Sequence, residues 1–150
     1  MTVFYDVIDT IKTQLALDTN VNTVTEGQID DIDLIKATMF PLSHIMVNNA
    51  SIEGSTIRVN VTVFCMDVVD ISKTSTTDIF IGNDNEQDVL NTQFAVFARL
   101  HAVLSRGSGS GTFKLDGNPT SEPFTERFEN YLAGWANTFD IIVPNTMTQC

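Results

Sequence analysis

By type, the residues that could do chemistry in this chain are an aspartate cluster, two histidines, two cysteines and a glycine-serine run. Asp30-Asp31-Ile32-Asp33 brings three carboxylates together as a calcium loop would. The glycine and the terminal glutamate such a loop requires are absent from their offsets, so the stretch reads as a polar connection with Ile29, Ile32 and Ile35 tucked inward. His44 falls in a strand pattern and His101 in a helix pattern. Neither forms a metal-binding pair or stands beside a nucleophile motif, and each reads as a packing or capping residue. Cys65 lies inside an apolar run and Cys150 at the last position, a pair without disulfide-framework or ligand spacing. Cys65 therefore reads as a small buried hydrophobe in a reducing compartment. Gly107-Ser108-Gly109-Ser110-Gly111 contains no basic residue to hold a phosphate and reads as a hinge. Nineteen acidic residues could supply carboxylate pairs, but nothing in their spacing sets two of them across a cleft. The expectation is a protein with no catalytic residues, no cofactor and no metal.

The elements that must position these residues belong to one domain, residues 1–150. With 43% hydrophobic and 18% charged residues, a chain of 150 can bury roughly two-thirds of the surface its unfolded form exposes. Eight Lys and Arg stand against nineteen Asp and Glu, a formal charge of −11. The cations are dispersed, which argues against a phosphate-backbone clamp, because that affinity comes from clustered Lys and Arg displacing counterions. The N-terminus lacks a basic region and no apolar run approaches the ~20 residues of a membrane span. These features predict a soluble, unprocessed intracellular product.

Residues Thr2 to Leu17 carry a helical stripe of Phe4, Val7, Ile8, Ile11 and Leu15. Val21 to Glu26 reads as a short strand closed by Gly27, and Phe40 to Val47 as a strand beginning beside a proline. Asn48 to Ser55 reads as a turn-rich stretch. From Ile57 the alternation is clear: Ile57, Val59, Val61, Val63 and Cys65 point one way, and Arg58, Asn60, Thr62, Phe64 and Met66 the other. Phe64 and Met66 break the polar side, which predicts that the second face becomes covered there by another element or a neighbouring subunit. Asp67 to Gly82 reads as a protruding loop around Lys73 that orders against a partner. Asn83 to Asp88 opens a second helix whose broad apolar face, Leu90, Phe94, Phe97, Ala98, Leu100, His101 and Leu104, is expected to cover the Val59, Val61 and Val63 face. Thr112 to Leu115 suggests a brief strand before a turn at Asp116-Gly117-Asn118-Pro119.

The stretch from Glu122 to Pro144 carries the densest aromatic surface, with Phe124, Arg127, Phe128 and Tyr131 ahead of a ribbon on which Trp135, Phe139, Ile141 and Val143 share one face. The whole reads as α+β, a mainly antiparallel sheet with two helices packed on one face. Candidate subunit or partner contacts are Phe64, Met66, Lys73, Arg127, Tyr131 and Trp135, with core packing the competing role for Trp135.

The order of motifs resembles that of the tail terminator group among the small neck and tail-completion proteins of tailed bacteriophages. It is carried by an N-terminal helix, Val21-Asn22-Thr23-Val24-Thr25-Glu26-Gly27, Asp30-Asp31-Ile32-Asp33, Phe40-Pro41-Leu42-Ser43-His44-Ile45, a long amphipathic strand ending in Asp67, a late helix, and a hairpin from Pro123-Phe124 to Trp135. The resemblance implies a tail-terminator-like fold and a homo-oligomeric ring of six copies that caps the tail tube and joins it to the head connector. Its partners would be the tail tube protein and the head connector proteins. Genome DNA would pass through the bore without specific binding, in a virion assembled in the bacterial host cytoplasm. No catalytic residues are carried over from the group. Head completion proteins and tube subunits share the general architecture and stand beside the terminator reading. A monomeric adaptor binding along a sheet edge is the alternative of another class.

Overall fold

The computed structural model describes residues 3–27, 40–68, 86–106, 114–127 and 132–144. Its elements run α1 (Val3–Ala16), β1 (Thr23–Glu26), β2 (Leu42–Glu53), β3 (Thr56–Val68), α2 (Glu86–Ser105), β4 (Lys114–Arg127) and β5 (Leu132–Pro144). The strands form one sheet in the order β1-β2-β3-β5-β4. Every pairing is antiparallel except the short parallel ladder of β1 on β2. The fold is α+β, as the segregation of helical and strand patterns predicts.

Period-two alternation on β3 and β5 decides where the core sits. Val59, Val61, Val63 and Cys65 share a face with Phe139, Ile141 and Val143, since Val61 pairs with Phe139 and Val59 with Ile141. Both helices lay their apolar stripes on that face: Val7, Ile11 and Leu15 of α1, and Val96, Phe97, Leu100 and Leu104 of α2. Val59, Val61 and Val63 have no solvent exposure. The expected cover of the valine face by the second helix is thus correct for Phe97, whose ring centroid lies 5.7 Å from that of Phe139. Leu100 and Leu104 of the expected stripe pack in the same core, and the stripe departs at Phe94 and Ala98, which are exposed. Phe94 is 44% exposed, and the buried line of α2 runs Val89, Gln93, Val96, Phe97, Leu100, Leu104. A polar Gln93 inside the line rotates the apparent apolar face toward Phe94.

Two turn assignments are corrected. Asn48 to Ser55 is not a loop: β2 continues to Glu53 and returns through a two-residue hairpin turn with Gly54 at φ 65°, in the left-handed region that favours glycine. Asp116 to Pro119 is not the end of a strand. β4 bulges there, Asp116 pairing with Asp140 and Thr120 with Thr138, so Gly117, Asn118 and Pro119 stand opposite Phe139 alone. Of the expected loop from Asp67 to Gly82, Asp67 and Val68 close β3 and the remainder lies outside the described residues.

Candidate functional site

The second face of the sheet changes character along its length. At one end Leu42, Phe64, Met66, Phe124 and Leu132 gather with Phe40 into an apolar cluster, each no more than 8% exposed. Of the two covers expected for the candidate contacts Phe64 and Met66, another element or a neighbouring subunit, the chain itself supplies the first: both are buried within it, Met66 with no exposure at all. Their departure from the polar side of β3 records a second core within the chain, with Phe64 packed edge-on against Phe124 at 6.3 Å between centroids.

Toward the other end the same face is polar and cross-linked. Asn48 donates to Asn60 Oδ1 (2.8 Å) and to Thr62 Oγ1 (2.6 Å), and Asn60 donates to Asp140 Oδ1 (2.7 Å). The Thr62 and Thr138 hydroxyls are 3.0 Å apart. Arg58 is the hub: Nε donates to Glu53 Oε1 (3.1 Å), and Nη1 donates to Asp140 Oδ2 (3.3 Å) and to Asp116. Asp116 first, then Glu53, favours the charged guanidinium and raises its pKa. Three carboxylates against one cation leave this cluster two charges negative, an ordered surface that repels polyanions. The alternation Arg58, Asn60, Thr62 on one strand and Thr138, Asp140, Ile142 on another was legible, but their joining across β3 and β5 depends on a register no local pattern contains.

The edges differ. β1 pairs with β2 only from Leu42 to Ile45, and the side chains from Asn48 to Ser55 are all exposed. A bulge at Asn48 shifts the parity of β2, so Ile52 joins the row of buried Ile57 and Val143 and is itself 74% exposed. Neither Lys nor Pro guards this strand after Pro41, whereas β4 at the opposite edge carries Lys114, Pro119 and Pro123.

Trp135 sits on the helical face. Its indole Nε1 donates to the Leu90 carbonyl (2.7 Å) and its ring meets Phe94 edge-on at 4.9 Å. The tryptophan is half-buried and docks α2 onto β5, while Phe94 keeps the outer side of the pair open. Among the remaining candidates, Arg127 closes β4 by its backbone, its side chain being outside the described residues, as are Lys73 and Tyr131. The sequence reading passed over Ile52, which lay in a segment taken for a turn.

His44 and Cys65 are both fully buried. His44 Nε2 lies 2.7 Å from the Gly27 carbonyl and Nδ1 2.8 Å from Thr25 Oγ1. Because a carbonyl only accepts, Nε2 carries the proton and Nδ1 accepts from the threonine hydroxyl. Burial lowers the His44 pKa, with the Gly27 bond and the nearby Glu26 charge pulling the other way. Burial pushes the Cys65 thiol up to about 12, with Ser43 countering, so the group is inert as a nucleophile at neutral pH. A groove of about 290 Å³ between the helices, lined by Leu15, Leu17, Asp18, Val96, Arg99 and Leu100 among others, holds no nucleophile-base pair. Among the described residues no group of three or more His, Cys, Asp or Glu side chains could hold a metal ion. None of their helices is long and apolar enough to cross a membrane.

No protein-family model matches the chain, and no curated protein matches it.

Proposed function

We propose that the protein is a structural subunit of a tailed-phage neck, of the tail-terminator type, which closes into a six-membered ring on the tail tube and joins it to the head connector. The observation that carries this reading is the two-sidedness of the sheet. Both helices occupy one face, and the distal half of the other is a cross-linked polar surface with an acid excess around Arg58. Such a face suits the wall of a bore through which a polyanion must slide, because fixed carboxylates repel phosphate and a cation matched by three acids offers it no free partner. The charge of −11 per copy sums to about −66 around six copies. Two unlike edges, β2 unpaired past Ile45 among the described residues and β4 carrying Lys114, Pro119 and Pro123, are also what head-to-tail contacts use, since a heterologous interface joins different surfaces of neighbouring copies.

The test is the mass and shape of the purified protein. Six copies of 16.6 kDa give a particle of about 100 kDa, six-fold symmetric in projection by electron microscopy. Rings that bound double-stranded DNA tightly at physiological salt would overturn the bore assignment.

A second reading is favoured by the edge of β2, which past Ile45 has no strand paired to it among the described residues. Eight residues, Met46 to Glu53, extend beyond the last β1 pair and could accept an added strand, as an adaptor domain binding an extended partner would. A monomer of 16.6 kDa that never assembles, alone or with a tail tube, would favour it.

A further inference from the structure

We propose that His44 is an acid-sensitive latch that holds the edge strand β1 onto the sheet and releases it when the imidazole takes up a second proton. The geometry is specific to one strand. Both ring nitrogens bond to the β1 segment, Nε2 to the Gly27 carbonyl and Nδ1 to the Thr25 hydroxyl, and Thr25 is the residue registered beside His44 in the parallel ladder. β1 has only four residues, pairs with β2 alone, and is half-buried to exposed along its length. Among the described residues the other ties of the segment are the Asn22, Thr23 and Gly27 amide bonds and the packing of Val24 on the core, and so short a ladder is of the kind that opens without global unfolding.

Protonation changes the donor inventory. In the neutral ring Nδ1 accepts the Thr25 hydroxyl proton; in the imidazolium both nitrogens donate. Thr25 Oγ1 must then turn its own hydrogen away, and a positive charge must sit at a site with no solvent exposure. The charged group β1 sets against the ring is Glu26, which partly favours the imidazolium. From β3 the ring faces the uncharged Phe64, 6.1 Å between centroids. Among the described residues one carboxylate therefore works against burial, and burial prevails in the direction of the shift. With β1 released, the ring reaches water and titrates near the ordinary histidine value of about 6.5. The closed state takes up its proton only at lower pH. The latch is fully engaged above about pH 6.5 and loses hold as pH falls below it.

Amide hydrogen exchange on the full-length protein reads this directly. The reporters are the Gly27 amide, bonded to the Ile45 carbonyl at 3.0 Å, and the Thr23 amide, bonded to the Pro41 carbonyl at 3.2 Å. After correction for intrinsic exchange, the opening constant of β1 should rise several-fold from pH 7.5 to 5.5, toward a ceiling of about tenfold set by one proton. Amides of Val61 and Val63 should not follow. In His44→Gln, whose amide can still donate to Gly27 and accept from Thr25, the extra pH dependence should vanish. If that variant fails to fold, the wild type decides: the His44 ring titration measured by NMR must share its midpoint with the β1 opening. Unchanged β1 protection across the range, equal acceleration of β3, or persistent pH dependence in His44→Gln would each overturn the latch. None of these outcomes depends on whether the protein forms a ring.

Discussion

Gly134 leaves no room for a side chain. A Cβ there would lie 2.1 Å from the Cys65 carbonyl oxygen and 2.8 Å from the Met66 Cα, so β3 and β5 approach closely only because glycine stands at the crossing. Gly134→Ala must push backbone rather than a side-chain tip, and it should cost about 3 kcal/mol or more, read as a lowered urea midpoint. A loss under about 1 kcal/mol would mean the strands can separate freely at that point. Trp135 tests the other side of the same strand. Removing its indole bond to Leu90 with Trp135→Phe should cost about 1 kcal/mol, and Trp135→Ala about 3 kcal/mol through lost packing on Phe94 and α2. The melting temperature of the isolated subunit should therefore fall in both variants. The tryptophan's aromatic company was legible in the sequence. Its attachment to a helix carbonyl 45 residues away was not, because that bond joins two elements whose packing angle no local pattern specifies.

At the scale of elements, the antiparallel packing of α1 and α2 over one sheet face rests on the valine stripe of β3. Val61→Asp places an unpaired carboxylate at a position with no exposure and should cost several kcal/mol, enough to unfold a marginal domain. A folded, soluble Val61→Asp protein would invert the assignment of the two faces. α2 is also tied to the segment that follows α1: Arg99 donates through Nε (2.7 Å) and Nη2 (2.9 Å) to Asp18, whose Oδ1 also accepts the Asn20 amide at 2.9 Å. Burial alone would raise the Asp18 pKa; the Arg99 bonds, the Asn20 bond and the Arg99 charge outweigh it and lower it below the ordinary 3.8. The pair's contribution is thus present above about pH 3.8 and disappears as pH falls through the lowered value. Since Arg99 is half exposed, Arg99→Ala should cost no more than about 1 kcal/mol at neutral pH and flatten the acid end of the stability profile.

For the whole molecule, assembly separates surface from core. Ile52 is 74% exposed, so Ile52→Lys should leave the subunit's melting temperature within about a degree while altering any contact made along the β2 edge. A marked loss of subunit stability would show that the hairpin is part of the core after all. The helical stripe of α1, the alternation of β3 and β5 and the late hairpin were readable because each depends on a period of 3.6 or 2 within one segment. The extent of β2 was hidden by Asn48, Asn49 and Gly54, residues that signal turns, although the first two belong to a bulged strand and only Gly54 turns. In α2 the apolar face holds at Phe97, Leu100 and Leu104 but is shifted by a residue in the first half of the helix, where Val89 and Gln93 are buried in place of Leu90 and Phe94.

By itself the sequence determined the α+β class, the two helices, the buried face of β3 and the acid excess. Those follow from periodicity and composition, which act within a segment or on the chain as a whole. Tertiary structure alone decided that Phe64 and Met66 close a second core, that Arg58 gathers acids from β2, β4 and β5, that Trp135 is tied to α2, and that His44 spans to β1. Each of these is a meeting of residues distant in the chain, and sheet order and register, which set such meetings, are fixed by the packing of all the strands together.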